Sequence, residues 1–348
     1  MNERWKRLLD RWQNILDYSA EFVGKTWLLA VVVIYVAVAS IVGVLWSSEP
    51  ERFDVQAAAM QRAESRGSPL VTGSITTSTL IKTAELMLDK QGGFLSNDIF
   101  PPGVWLDNIP NWEYGVLIQV RDLSRAMRES FSRSQSQSKE DPDLALAEPR
   151  FNFDSNSWIV PASESEYREG IDYLKRYLAR LEDDDESNAQ FYARADNLRY
   201  WLGIVQNRLG SLSQRLTASV GQRRINTDLA GDEAAVQSTS APRELDVKTP
   251  WSELDDVFYE ARGTTWALLQ FLRAIEMDFA DVLQKKNALI SVRQIIRELE
   301  SCQDDIASPL ILNGTGFGLF ANHSLVMASY ISRANAGIID LRDLMARG

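Results

Sequence analysis

The sequence predicts an all-α protein, in which one apolar N-terminal helix precedes a helical bundle with long antiparallel, coiled-coil-like helices. Three observations predict this fold. Residues 26–48 contain no charged residue. Most later segments repeat apolar residues at alternating spacings of three and four, a pattern that keeps one face of a helix against a neighbour. No segment alternates apolar and polar residues between hairpin turns, as a half-buried strand would.

Residues 26–48 predict a transmembrane helix, because at about 1.5 Å per residue they can cross a hydrocarbon layer of about 30 Å. Trp27 and Trp46 stand near the two ends, where indole rings favour the membrane interface. A cleaved signal peptide is the alternative, since Ala37, Val38 and Ala39 resemble a small-residue cleavage site. The apolar run continues past Ala39 to Trp46, which favours a helix that is retained.

The charges around this span predict its orientation. Five basic residues precede it, and Arg52 is the only base among the acids that follow it closely. The positive-inside bias therefore places residues 1–25 in the cytoplasm and the rest in the periplasm of a Gram-negative cell. Residues 1–25 also predict a short amphipathic helix on the inner leaflet. Its apolar face consists of Trp5, Leu8, Leu9, Trp12, Ile15 and Leu16.

Seven helices are expected after the span. They cover residues 75–90, 112–127, 167–181, 191–216, 251–282, 289–299 and 327–345. Asn111 is expected to cap the second, and Ser163 or Ser165 the third. Thr249 and Pro250 are expected to start the fifth, a helix of some nine turns. Residues 183–187 form an acidic turn, which predicts an antiparallel hairpin of the helices on either side.

Composition divides the chain after the span. Residues 49–220 form a helical region that includes a proline-bearing irregular stretch at 141–164. Residues 221–248 are rich in Gly, Ser, Asp, Glu and Ala and predict a flexible linker. Residues 249–348 supply the C-terminal helices, which are expected to pack on the same bundle.

The residue inventory argues against several classes of chemistry. A net charge of −11 repels phosphate backbones, so nucleic acid is not an expected partner. His323 and Cys302 are the only residues of their kinds, which argues against a metal site, a catalytic triad and an intramolecular disulfide. The glycines in LNGTGFGLF lack the spacing of a dinucleotide or phosphate loop and indicate a turn. No cofactor is expected.

Residues 92–115, GGFLSNDIFPPGVWLDNIPNWEYG, are unlike the periodic segments around them. Asp98, Asp107 and Glu113 lie there among aromatic side chains, an arrangement found in sugar-cleaving grooves. These three are the catalytic candidates. Turn formation and helix capping are the structural alternatives for such residues.

The same segment offers a candidate binding surface made of Phe100, Trp105, Asp107 and Trp112. Aromatic side chains are enriched at binding hot spots, although the core is their more common location. The aromatic residues are therefore expected to face either a partner or the core of the bundle.

Three stretches carry a family resemblance. They are GGFLSNDIFPPGVWLDNIPNWEYGVLIQVRDLSRAMR, FSRSQSQSKEDPDLALAEPRFNFD and SWIVPASESEYREGI. The chain resembles a family of proteobacterial membrane-anchored proteins known as domain of unknown function 2333, over most of its length after the span. The resemblance implies a Gram-negative host and a single membrane anchor, and it brings no activity, cofactor or catalytic residue.

Three functions are compatible with these features. The first is a non-enzymatic scaffold or accessory subunit whose partner is an envelope protein or a second copy of the chain, held at the lipid bilayer by its anchor. The second is a cell-wall glycan hydrolase or lyase that uses the three carboxylates. The third is a periplasmic sensor that signals through a partner, because about 25 cytoplasmic residues are too few for an output domain, which needs ~50 or more.

Overall fold

The computed structural model describes residues 26–134, 139–183, 185, 188–225, 244–308, 310–316 and 318–347. The described residues are mainly helical, with one small two-stranded ribbon. The amphipathic helix expected in residues 1–25 and the middle of the expected linker lie outside the described residues. An all-α fold with an apolar N-terminal helix is confirmed.

The described elements are, in chain order, α1 Thr26–Trp46, α2 Val55–Arg66, α3 Ser74–Asp89, α4 Asn108–Ala126, α5 Pro142–Phe151, α6 Ser163–Leu181, α7 Ala195–Thr217, β1 Gln222–Ile225, β2 Glu244–Val247, α8 Leu254–Asp278, α9 Ala280–Lys285, α10 Leu289–Ser301 and α11 His323–Ala346. A π-helical turn, Met127–Phe131, extends α4.

Helix α1 stands apart from the core. Except for Val42 and Trp46, its large apolar side chains are exposed, and within it only Ala39 and Gly43 are buried. It is the only helix in the described parts of the chain that is long and apolar enough to cross a membrane. A core helix would bury these side chains, so α1 is a membrane span or a signal sequence.

Helices α4 and α8 form the centre of the bundle and run parallel. The direction follows from two contacts along them, since Asn111 donates to Asp256 near their starts while Phe131 and Phe279 pack against each other near their ends. Trp112 packs on Trp266 with 5.2 Å between ring centroids. Helix α8 is buried on nearly all sides from 260 to 275, as expected of a helix that is apolar around most of its circumference.

Two glycines allow the backbones of α4 and α8 to approach closely. A Cβ at Gly115 would lie 2.2 Å from the carbonyl oxygen of Glu260, and one at Gly263 would lie 2.0 Å from that of Trp112. Both distances are far below van der Waals contact, and the clashing atoms belong to backbone. Glycine is therefore required at this crossing.

The other helices surround this pair. Helices α7 and α11 run antiparallel, because Gln206 accepts from Arg342 while Ser213 bonds Ser332. Helix α10 packs antiparallel on α11 and on α8, and α5 and α6 form an antiparallel hairpin that packs on α3 and α4. One hydrophobic core runs from α3 through to α11.

Several expected boundaries are wrong. Helices α6 and α7 do not form a hairpin, since α6 packs on α5 and α3 whereas α7 packs on α11. The nine-turn helix is interrupted at Phe279, where the backbone leaves helical geometry before α9. Thr249 and Pro250 precede a short 3₁₀ turn and do not cap α8. Helix α7 begins at Ala195, four residues later than the apolar pattern indicates.

The proline-bearing stretch at 141–164 contains a helix that the periodicity did not reveal. Asp141 caps α5 through the amides of Asp143 and Leu144, and Pro142 occupies its first turn. Proline is tolerated there because the first turn has no intrahelical acceptor for its missing N–H. Helix α2 was also not expected, since its apolar face consists mainly of small alanines.

The segment expected to be a linker has ordered ends. Strands β1 and β2 pair antiparallel, with Gln222 opposite Val247 and Ile225 opposite Glu244. The chain therefore leaves α7 and returns to α8 at nearly the same place.

Candidate functional site

Residues 92–107 lie between α3 and α4 and contact the end of α1, and residues 108–115 are the first turns of α4. A Cβ at Gly92 would lie 2.7 Å from the indole of Trp46, so the ring of Trp46 lies directly on this glycine. One turn earlier in α1, the position of a Cβ on Gly43 is 3.5 Å from Pro102 and 3.6 Å from Leu106. We refer to this end of the bundle, where α1 meets the domain, as the α1-proximal end.

Glu113 and Lys90 form a buried ion pair beneath the segment, with side chains 0% and 2% exposed. The carboxylate also accepts from the amides of Leu95 and Ser96, at 2.8 and 2.9 Å. Burial raises the pKa of Glu113, and the charge of Lys90 acts against this rise. All of the polar contacts of Glu113 belong to the chain's own loop and ion pair, so this carboxylate fixes the loop and does not face a groove.

Asp107 caps α4. Its carboxylate accepts from the amide of Asn108 at 2.9 Å. Asn111, which was expected to be the cap, lies inside the first turn and donates to Asp107 and to Asp256 of α8. Helix α4 therefore has a side-chain cap, as expected, but the cap is Asp107, four residues before Asn111.

Asp98 lines a shallow cleft of about 270 Å³ near the end of α1, together with Trp46, Trp158 and Glu164. Burial raises the pKa of Asp98, the negative charge of Glu164 raises it further, and Lys90 lowers it. Asn97 donates to Glu164 at 2.7 Å, which holds that carboxylate beside the cleft. Nothing in the sequence pattern marks Glu164, because acids are common in the first turn of a helix.

The four predicted surface residues do not form one surface. Phe100 is 72% exposed and Trp105 is 50% exposed, and both belong to the turn that contacts α1. Trp112 is fully buried against Trp266. The assignment of Trp112 to a binding surface is therefore wrong. This residue belongs to the core, because its side of α4 faces α8. Asp107 is exposed and acts as a cap.

A second loop adds to the exposed apolar surface. This loop is formed by residues 158–162, WIVPA, and its first residue, Trp158, lines the same cleft as residues 99–102. Asn97 donates to the carbonyl of Ser157 at 2.8 Å, which holds the start of the loop beside the cleft. Residues 99–106, IFPPGVWL, and residues 158–162 together contain no polar side chain. We call these two segments the apolar loops. The second loop has no helical period, so the sequence pattern gives no indication that it lies beside the first.

Exposed apolar side chains concentrate at the α1-proximal end. Among the described residues outside α1, twelve large apolar side chains are at least half exposed. Eleven of them lie in loops or first turns at this end, and Ile290 lies at the other end. The eleven are Phe100, Val104, Trp105, Trp158, Ile159, Val160, Trp251, Leu310, Leu319, Phe320 and Val326.

The remaining chemical candidates have structural roles. Cys302 is buried, and burial raises the pKa of its thiol to about 12, so it carries no thiolate at neutral pH. The Nδ1 atom of His323 accepts from the amide of Leu312 at 3.2 Å, and the histidine begins α11. The described residues contain no cluster of three or more His, Cys, Asp or Glu side chains arranged to hold a metal.

A groove of about 770 Å³ lies on the side of the bundle between the start of α2 and helices α8 to α10. Phe53, Met277 and Leu289 contribute apolar lining, and Arg52 and Arg293 contribute charged lining. Ile290, next to Leu289, is 81% exposed. This groove is a further concave surface among the described residues.

Comparisons with known proteins identify a family without adding a function. No curated protein and no solved structure matches the chain. The sequence profile of one bacterial family matches residues 20–348, which includes α1 and every described element after it. The chain belongs to DUF2333, a family described as uncharacterized protein conserved in bacteria.

Proposed function

We propose that the chain is a single-pass inner-membrane protein whose periplasmic helical domain binds another component of the cell envelope without catalysing a reaction. The observation that carries this proposal is that Glu113, a catalytic candidate, is buried and engaged in structural contacts. A catalytic carboxylate needs access to a substrate, whereas this one is fully buried and bonded to Lys90, Leu95 and Ser96. Asp107 is likewise engaged as a helix cap.

The location follows from α1 and the charges beside it. The exposed apolar side chains of α1 favour lipid, and the contact of Trp46 with Gly92 favours a helix that stays with the domain after export. The basic residues before the span support a cytoplasmic N-terminus and hence a periplasmic domain. The partner is an envelope protein or a second copy of the chain, and the groove beside Ile290 is the surface we assign to it.

Chemical crosslinking in membranes, followed by affinity capture, tests the binding role. Asp98→Asn and Asp107→Asn should capture the same crosslinked neighbours as the unaltered chain, because binding needs no acid chemistry. A photoreactive residue at Ile290 should form an adduct with a protein, and one at Met60, which is exposed on α2 and does not line the groove, is the control. Absence of any protein adduct at Ile290 and of any captured neighbour would contradict an interaction role.

The hydrolase alternative keeps one supporting observation. Asp98 has a raised pKa and faces Glu164 in a cleft that Trp46 and Trp158 also line. A proton donor beside a second carboxylate is what glycan cleavage requires. Under this alternative, Asp98→Asn abolishes release of glycan fragments from purified cell wall while the protein remains folded. Under our proposal, neither form releases fragments.

A further inference from the structure

We infer that the apolar loops form a second membrane contact, with residues 99–106 and 158–162 inserted into the outer interface of the same bilayer that α1 crosses. This inference rests on the proposed anchoring of α1 and names lipid as the occupant of the α1-proximal end. It assigns the exposed Phe100 and Trp105 to lipid. The groove beside Ile290 remains the surface for a protein partner.

The depth of the contact with α1 is the first argument. Ala39 and Gly43 are four residues apart and therefore lie on one face of α1, and they are the two buried residues of that helix. Pro102 and Leu106 lie against Gly43, which is about 4.5 Å further into the span than Trp46 at 1.5 Å per residue. The loop that carries them thus lies below the level of Trp46.

The thickness of the membrane also indicates that the buried face of α1 lies within the bilayer. Ala39 is twelve residues from Trp27 at the other end, a length of about 18 Å along the helix. A hydrocarbon layer is about 30 Å thick, so a helix anchored at Trp27 has Ala39 and Gly43 inside the layer or at its edge. Whatever covers that face of α1 is at the same depth.

The chemistry of the loops suits this position. Residues 99–106 supply Ile, Phe, Pro, Pro, Gly, Val, Trp and Leu, and residues 158–162 supply Trp, Ile, Val, Pro and Ala. Val160 is 94% exposed in the isolated chain. Exposed apolar side chains beside a transmembrane helix are unfavourable in water and favourable at a bilayer, where apolar groups insert about 5–10 Å.

The polar residues that flank the two apolar loops support their insertion. Asp98 and Asp107 flank the first loop, and Ser157 and Ser163 flank the second. Each apolar loop therefore ends at polar residues, as a segment dipping into the interface and returning to water should. Two tryptophans, Trp105 and Trp158, supply side chains that prefer the headgroup level.

Fluorescence depth measurements on the full chain test this inference. The probes are an environment-sensitive dye attached at Phe100→Cys, Val160→Cys, Val33→Cys or Ile290→Cys, one at a time, in vesicles of phosphatidylethanolamine and phosphatidylglycerol. Cys302 is buried with a raised thiol pKa, so it stays in place, and the unaltered chain is the labelling control. All four sites are exposed, and far-UV circular dichroism verifies folding.

Dyes at Phe100 and Val160 should shift their emission to the blue, lose quenching by aqueous iodide and gain quenching by lipids with a nitroxide near the headgroup end of the acyl chain. The dye at Val33 should be quenched by nitroxides deeper in the chain, and that at Ile290 by iodide alone. Water-exposed Phe100 and Val160 dyes with a lipid-embedded Val33 would overturn this inference alone. A water-exposed Val33 dye would overturn the anchor as well.

A protein occupant gives a different result. If a partner protein covers the apolar loops, the dyes at Phe100 and Val160 remain quenched by iodide in vesicles of lipid alone, while photoreactive residues at the same positions form protein adducts in cells. That combination would also overturn the lipid assignment.

Discussion

Trp46, the last residue of α1, lies directly on Gly92, which belongs to the irregular segment between α3 and α4. Gly92 has φ +88°, so a side chain there would be strained, and its Cβ would lie 2.7 Å from the indole. This contact joins the apolar helix to the folded domain. Gly43, one turn earlier, has Pro102 and Leu106 against it, which places the first apolar loop beside α1.

Gly92→Ala should therefore destabilise the domain by more than backbone strain alone. Gly67 is the matched control, because it has φ +68° and no heavy atom within 4 Å of a built Cβ. Gly67→Ala should cost about 1 kcal/mol, and Gly92→Ala should cost more because the indole must move. Thermal unfolding in detergent micelles measures both. Adding Trp46→Ala should reduce the excess cost at Gly92, and equal costs in both backgrounds would contradict the contact.

The buried pair of Lys90 and Glu113 predicts a stability effect. Glu113→Gln leaves the ammonium of Lys90 buried without a counter-charge, which should cost about 3–5 kcal/mol of unfolding free energy. Adding Lys90→Met should recover part of that loss, because the uncompensated charge is then gone and the oxygen of the introduced amide still accepts from the loop. Denaturant unfolding measures the series.

Asp89→Ala is the surface control for that series. Asp89 pairs with Arg168 where both side chains are about half exposed, so the change should be under about 1 kcal/mol. If Glu113→Gln proved as stable as the unaltered chain yet lost its cellular role, Glu113 would have a chemical function and our structural interpretation would be wrong.

The crossing of α4 and α8 predicts opposite outcomes for two glycine substitutions. Gly263→Ala places a Cβ against the backbone of Trp112 and should cost about 3 kcal/mol or more, since neither backbone can yield without separating the helices. Gly203→Ala, inside α7 with only the end of Arg342 at 3.8 Å, should instead stabilise by about 0.5–1 kcal/mol. Denaturant midpoints for the two variants test this, and a similar effect at both positions would contradict the close approach.

Sequence patterns predicted the elements that bury a continuous apolar face. Helices α6, α10 and α11 follow directly from repeats of Leu, Ile and Met, because such a face can be satisfied only by packing. Helix α2 was missed since its buried face is Val55, Ala59 and Ala63, and alanine carries little signal in a periodicity search.

The packing partners of the helices were harder to predict than the helices themselves. The short acidic turn after α6 suggested a hairpin with α7, yet α7 packs on α11, which is over a hundred residues away. Which distant helices pack together depends on how well the shapes of their apolar faces fit. A single sequence does not reveal that fit. The same reason hid Glu164 and residues 158–162, which reach the site only through the fold.

Asp278 predicts a pH dependence. Its carboxylate accepts from the amide and hydroxyl of Thr76, at 2.7 and 2.6 Å, and burial raises its pKa above the ordinary 3.8 while these bonds act against the rise. The folded state therefore holds the proton more tightly than the unfolded state, so the contribution of Asp278 to stability is full below pH 3.8 and declines as pH rises through the raised pKa.

Asp278→Asn isolates this effect, since the amide keeps an acceptor for Thr76 and does not titrate. The unfolding free energy of the unaltered chain minus that of Asp278→Asn should fall as the pH rises from 3.8 towards neutrality. Denaturant unfolding across that range measures the difference. A difference that rises with pH would mean that the hydrogen bonds from Thr76 outweigh burial.

Retention of α1 and the side of the membrane on which the domain lies are the basis of the whole account. The measurement that tests them most directly is the activity of alkaline phosphatase fused after Gly348, assayed in separated membrane and soluble fractions of a Gram-negative host. We predict an active, full-length fusion in the membrane fraction, because this enzyme is active only after export. Activity confined to a shortened, soluble periplasmic product would show that α1 is a cleaved signal sequence, and an inactive membrane-bound fusion would place the domain in the cytoplasm. Either result would contradict the account.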